Sequence, residues 1–122
     1  MPLTKEPTHI FEPNPLACGQ SVLAMLFDLD VNCVIESLEN SKETKLREMI
    51  SFVESNGVKI SKEKKPVFQK EELPQICILS LETPHCWHWS LYFKGLFYDP
   101  EYGVLDDFPP STRRYYFEIF EN

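Results

Sequence analysis

An α+β domain is the fold class this sequence predicts, with helices in its first half and antiparallel strands in its second. Three features carry that expectation. Apolar residues recur at helical spacing up to Gly57, extended apolar runs follow it, and two of those runs are joined by the dipeptide Lys94-Gly95. At 122 residues the chain is a single domain spanning 1–122, long enough for one core. Its content of 43% apolar and 13% aromatic residues lets burial offset the entropy of ordering the chain.

Prolines at positions 2, 7, 13 and 15 remove backbone donors and bias their neighbours to extended forms, so residues 1–14 read as an extended N-terminal arm. Asn14-Pro15 suits an N-cap and first-turn proline, and Val22, Leu23, Leu26 and Phe27 follow at helical spacing. The expectation is a helix over about 16–28 with Cys18 near its start. Asp30 caps a second helix whose stripe is Val31, Val34, Ile35 and Leu38. Asn40 with Glu43 reads as the start of a third, carrying Leu46, Met49, Ile50 and Val53 and stopped by Asn56-Gly57. The character then turns extended, with Val58 to Ile60, Pro66 to Phe68, and the apolar run Gln75 to Leu81, which suits a central strand buried on both faces. Cys86 to Phe93 and Leu96 to Asp99 form a β-hairpin, and a last strand runs from about Tyr115 to Phe120.

A formal charge of -7 and a pI near 4.9 argue against nucleic acid or an anionic membrane surface as partner. The basic run Lys62 to Lys65 suits a solvated loop between strands. The N-terminal residues lack the apolar core of a secretory signal and no run approaches the roughly eighteen residues of a membrane span, which predicts a cytoplasmic protein. Its cysteines Cys18, Cys33, Cys77 and Cys86 show no close-paired spacing and are expected as free thiols, the last three as small core residues. His85, Cys86 and His88 fall short of the four ligands of a structural zinc site, and strand alternation separates neighbours, so no metal is expected. Trp87 and Trp89 read as core, His9 as unfixed in the arm, and Arg113-Arg114 as a solvated pair.

A two-residue loop at Lys94-Gly95 pairs Phe93 with Leu96, Tyr92 with Phe97, Leu91 with Tyr98 and Ser90 with Asp99. His88, Ser90, Tyr92, Phe97 and Asp99 then share one face, and Trp87, Trp89, Leu91, Phe93, Leu96 and Tyr98 line the other as the core side. His88 and Asp99 are diagonal neighbours within side-chain reach. A carboxylate beside an imidazole orients the ring and favours its charged form, which in turn holds a thiolate. A cysteine at a helix N-terminus gains further from the unpaired N–H groups there. Gly19 leaves room for a substrate backbone. Together these match the nucleophile, base and orienter of thiol acyl-transfer chemistry. The competing reading of Cys18 is a core thiol, since positions 18, 22, 25 and 26 share a helical face.

Ala17-Cys18-Gly19-Gln20 ahead of an apolar helix, and His88-Trp89 followed after a turn by Phe97-Tyr98-Asp99-Pro100, resemble the papain-like cysteine peptidase superfamily. Within it the chain looks like the compact bacteriocin-leader-processing, double-glycine peptidase-like group, a likeness that also takes in Leu73-Pro74 leading into a strand. The resemblance implies a papain-like fold with the cysteine on the first core helix, no cofactor, and a hydrolase or acyl-transferase that cleaves a peptide or isopeptide amide of a protein or peptide substrate through a thioester. It makes Cys18 the nucleophile, His88 the general base and acid, and Asp99 the residue that orients His88. Such enzymes usually place a glutamine six residues before the cysteine to face the oxyanion, and Glu12 stands there instead. An ionised carboxylate cannot donate, which leaves Asn14 or Gln20 as alternative donors beside the Cys18 backbone N–H. A catalytically silent binding module and a deamidase or transglutaminase-like enzyme fit the same residues.

Overall fold

The structure, a computed structural model, describes residues 6–84 and 86–120. Three helices precede seven strands, the α+β order expected: α1 (Cys18–Phe27), α2 (Val31–Leu38), α3 (Leu46–Ser55), β1 (Lys59–Ile60), β2 (Lys65–Pro66), β3 (Ile76–Glu82), β4 (Trp87–Phe93), β5 (Leu96–Asp99), β6 (Gly103–Leu105) and β7 (Arg114–Phe120). The strands form one antiparallel sheet in the order β1-β7-β3-β4-β5-β6, with β2 also on β7. No helix among the described residues is long and apolar enough to cross a membrane.

Two helix starts differ from expectation. The Asn14 side chain caps nothing; its Oδ1 accepts the Leu16 N–H at 2.9 Å in a tight turn, and α1 begins at Cys18 with Ala17 at the cap position. Likewise α3 begins at Leu46, where Glu48 Oε1 accepts the Lys45 N–H at 2.8 Å, and Asn40 instead ties the preceding loop to Glu43 and Glu48. In both places a local polar turn outcompetes one more turn of helix. The α2 cap is as read: Asp30 Oδ1 accepts from the Asn32 N–H at 2.8 Å.

Helix α1 is buried from Cys18 through Leu26, because the sheet lies on one side of it and α2 and α3 on the other. Its Leu23 and Met25 join Val34 of α2, Met49 and Val53 of α3, and Ile78, Leu91 and Phe117 of the sheet in the main core. Gly19 is part of this packing and does not face a substrate. A Cβ there would overlap Thr44 Oγ1 and lie 3.0 Å from Thr44 Cβ and 3.1 Å from Met49 Sδ.

The hairpin register is the one the sequence gives, with Leu91 opposite Tyr98, Tyr92 opposite Phe97 and Phe93 opposite Leu96. Lys94 and Gly95 both take positive φ, 45° and 102°, as a two-residue turn of matching twist requires. The face opposite the helices is not bare, however. Cys77, Leu79, Leu81, Tyr92 and Phe97 form a second, smaller core covered by Leu73, Leu105, Phe108 and Tyr116. At the ends of the helix-side face the apolar pattern fails, leaving Trp87 46% and Leu96 38% exposed. Of the cysteines expected inside, only Cys77 is buried. Cys33 lies off the apolar stripe of α2 and Cys86 in the turn before β4, both exposed.

Candidate active site

Cys18 is the first residue of α1, so its N–H and those just after it point out of the helix without an intrahelical acceptor. The residue is 7% exposed, and the Trp89 N–H of β4 donates to Sγ at 3.4 Å. His88, the residue before, is 2% exposed and reaches Asp99 Oδ1 with Nε2 at 2.9 Å. This leaves Nδ1 as the ring nitrogen free for the thiol. A ring nitrogen of His88, Cys18 Sγ and a carboxylate oxygen of Glu12 all lie within 4.8 Å of one another.

Asp99 is fully buried, and every contact of its carboxylate holds it in place. Oδ1 accepts from His88 and from the N–H groups of Glu101 at 2.8 Å and Tyr102 at 3.0 Å, and Oδ2 accepts the Ser90 hydroxyl at 2.8 Å. Asp99 thus opens the turn and orients the histidine at once. Burial alone would raise its pKa; the bonds from His88 and Ser90 and the Tyr102 N–H overcome this and hold it below the usual value. For His88, burial pulls down and is outweighed by the hydrogen bonds with Asp99 and Cys18 and their Coulombic pull, which push the ring up to about 10. The imidazolium is therefore the resting form at neutral pH.

Of the three residues considered for the oxyanion, the structure brings only Glu12 to the pair. Gln20 is fully buried and gives both amide hydrogens to the loop before α3, at 2.7 Å to Asn40 O and 2.7 Å to Lys42 O. Asn14 is spent on the turn at Leu16 and on Ser41 O. Glu12 sits on the arm, which is fastened by its own N–H to Pro100 O at 2.9 Å. Burial raises the Glu12 carboxyl from 4.5 to about 7. His88 opposes that rise, while Glu101 and Asp99 add to it.

Contacts with no sequence signal complete the site. His9 is fixed after all: its Nε2–H donates to the Asp99 carbonyl at 2.7 Å, and its ring meets Phe11 edge to face. The Trp89 indole N–H donates to Thr44 O at 3.2 Å, anchoring the loop before α3 beside the thiol. Ser90 was legible as a partner of Asp99 from the register. A cavity of about 230 Å³ opens on Cys18 and His88, walled by Glu43, Thr44, Ser80, Trp87 and Trp89. Trp87 is therefore a cavity wall as well as a surface residue, where it stacks under Arg113. Arg113 is itself held by Glu82 at 2.9 Å, and Arg114 by Ser111 at 2.8 Å.

Glu12, Cys18 and His88 are the one group of potential ligands close enough to share an ion among the described residues. Three donors fall short of a closed structural zinc site, and His85 lies outside the described residues.

No family model and no curated sequence matches the chain. Among solved structures it is similar to a double-glycine motif protease from an AMS/PCAT transporter, determined in complex with the leader peptide. The two share 17% identity and a TM-score of 0.65 over 97% of this chain and 96% of that one. The chain therefore has the fold of that double-glycine motif protease, with Cys18 opening the first core helix and His88 and Asp99 carried by the sheet.

Proposed function

We propose that this protein is a cysteine peptidase that cleaves an amide bond of a peptide substrate. The observation that carries the reading is the continuous path from Cys18 Sγ through the buried His88 ring to the Asp99 carboxylate. Cys18 Sγ attacks the carbonyl carbon, and the carbonyl π pair moves to oxygen. When the tetrahedral adduct collapses, the C–N bond breaks and the His88 proton goes to the leaving amine. Water then attacks the thioester, giving its proton to His88 while the C–S bond breaks and the acid leaves. Asp99, locked by four donors, keeps the ring in the orientation that both proton transfers need.

A peptide substrate is supported by the cavity beside the thiol and by the leader peptide bound to the similar protease. The acidic surface makes nucleic acid an unfavourable partner, and free thiols suit the reducing cytoplasm. The test is brief alkylation with dilute iodoacetamide near pH 6, read by mass spectrometry. Cys18 is expected to label ahead of the exposed Cys33 and Cys86 despite its burial, and to lose that lead in His88→Ala. Labelling led by Cys33 and Cys86 would remove the activated nucleophile and leave a peptide-binding module.

A further inference from the structure

We propose that Glu12 serves this reaction as a neutral carboxylic acid, donating its O–H to the oxygen of the tetrahedral adduct on Cys18. The inference rests on the peptidase reading above and assigns a further catalytic group to it. Its first support is geometric. Glu12 Oε1 is buried with no hydrogen-bond partner among the described residues, although the residue as a whole is only half-buried. A buried carboxylate oxygen without a donor is costly, whereas a protonated carboxyl needs only an acceptor.

The position of that carboxyl is the second support. It lies no more than 4.8 Å from Cys18 Sγ and from the His88 ring, a gap that a carbon–oxygen unit bonded to the sulfur closes with one hydrogen bond of about 2.7 Å. Among the described residues of the arm, no other side chain is free to take that place. The Asn14 and Gln20 amides are spent on the loop before α3, and two contacts with the end of β5 hold the arm: Glu12 N–H to Pro100 O and His9 to Asp99 O.

The charged and titratable groups around Glu12 explain why it holds a proton. Glu101 and Asp99 repel its anion, and Tyr102 and Cys18 offer no positive charge. His88 attracts the anion, and burial outweighs it, so that the carboxyl titrates at about 7. The neutral fraction falls from about ten elevenths at pH 6 to about one eleventh at pH 8. A step that uses the neutral form therefore weakens about tenfold over that interval.

A ¹³C-labelled N-acetylglycinal tests this without knowledge of the natural substrate, since its hemithioacetal with Cys18 places an oxygen where the adduct oxygen forms. Its affinity for the wild type is expected to fall about tenfold from pH 6 to pH 8. In Glu12→Gln, whose amide donates at every pH, the change should stay under threefold, and Glu12→Ala should bind weakly at both. Infrared difference spectra of wild type against Glu12→Gln at pH 6 should show the C=O band of a neutral acid. Equal pH dependence in wild type and Glu12→Gln, or wild-type affinity in Glu12→Ala at pH 6, overturns the role of Glu12 and leaves the peptidase reading standing. Failure of all three proteins to form an adduct at Cys18 overturns both.

Discussion

Gly19→Ala tests the packing that sets the cysteine in place. Inside a helix this change normally stabilises by up to about 1 kcal/mol, since alanine restricts the unfolded chain and favours helix. Here the added methyl overlaps Thr44 Oγ1 and presses on Thr44 Cβ at 3.0 Å and Met49 Sδ at 3.1 Å. Thr44 cannot simply retreat. Its carbonyl holds the Trp89 indole, and Gln20 pins the same loop at Asn40 and Lys42. Overpacking of a confined site costs about 1–3 kcal/mol, and the pinned loop puts this one at the upper end. The net expectation is a destabilisation of about 1–2 kcal/mol in urea unfolding. Thr44→Ala removes the overlapping hydroxyl, which itself has no hydrogen-bond partner among the described residues. In that background Gly19→Ala should no longer destabilise, giving a coupling of at least about 1 kcal/mol in the double-mutant cycle. A Gly19→Ala protein as stable as the wild type, or a cycle that closes without coupling, would refute the steric account.

Asp99→Asn keeps the shape of the site but removes the charge that helps hold His88 protonated; it should fold, yet lose the preferential alkylation of Cys18 near pH 6 and about 10²-fold or more in turnover. Asp99→Ala leaves Ser90, His88 and two backbone N–H groups without their acceptor and should destabilise by about 3–5 kcal/mol in urea melts. The pKa of His88 is raised on folding from 6.5 to about 10, so its contribution is fully present below 6.5 and fades as pH rises through about 10. The stability gap between wild type and His88→Gln should shrink across that window, and a gap independent of pH would count against the ion pair. Trp87→Ala removes one wall of the cavity at the thiol and should raise KM about fivefold, equivalent to about 1 kcal/mol, with kcat little changed.

The parts of the site that were legible in the sequence are those set by periodicity. Strand alternation and a two-residue turn suffice to place His88, Ser90 and Asp99 on one face, because a register slip of one residue would turn a row of aromatic side chains into water. Cys18 at the head of a helix follows from the proline-bounded arm and the stripe after it. The docking of the arm left no such trace. His9 meets the Asp99 carbonyl across ninety residues through a single nitrogen, and Glu12 meets Pro100 through one backbone bond. Gly19 misled for a related reason: a missing Cβ marks a close approach without saying what approaches, and here it is Thr44. The second small core was hidden because part of its cover comes from β6, three residues long, and from the loop residues Leu73 and Phe108, where there is no alternation to read.

The end of β5 links these separate features. Continuing the register from Leu91 opposite Tyr98 would set Pro100 opposite Trp89. Proline brings no N–H to that rung, and the pairing of β4 with β5 ends at Leu91 and Tyr98. The two backbone groups that the missing rung would have joined are used otherwise: the Trp89 N–H turns to Cys18 Sγ, and Pro100 O accepts the N–H of Glu12. One interrupted strand pair thus supplies a donor to the sulfur and an anchor for the arm, while Asp99 at the same point holds the imidazole with its carboxylate and His9 with its carbonyl. Thiol and acid are thus both tied to a single strand end, the thiol by the Trp89 N–H and the arm by the Glu12 N–H and the His9 side chain.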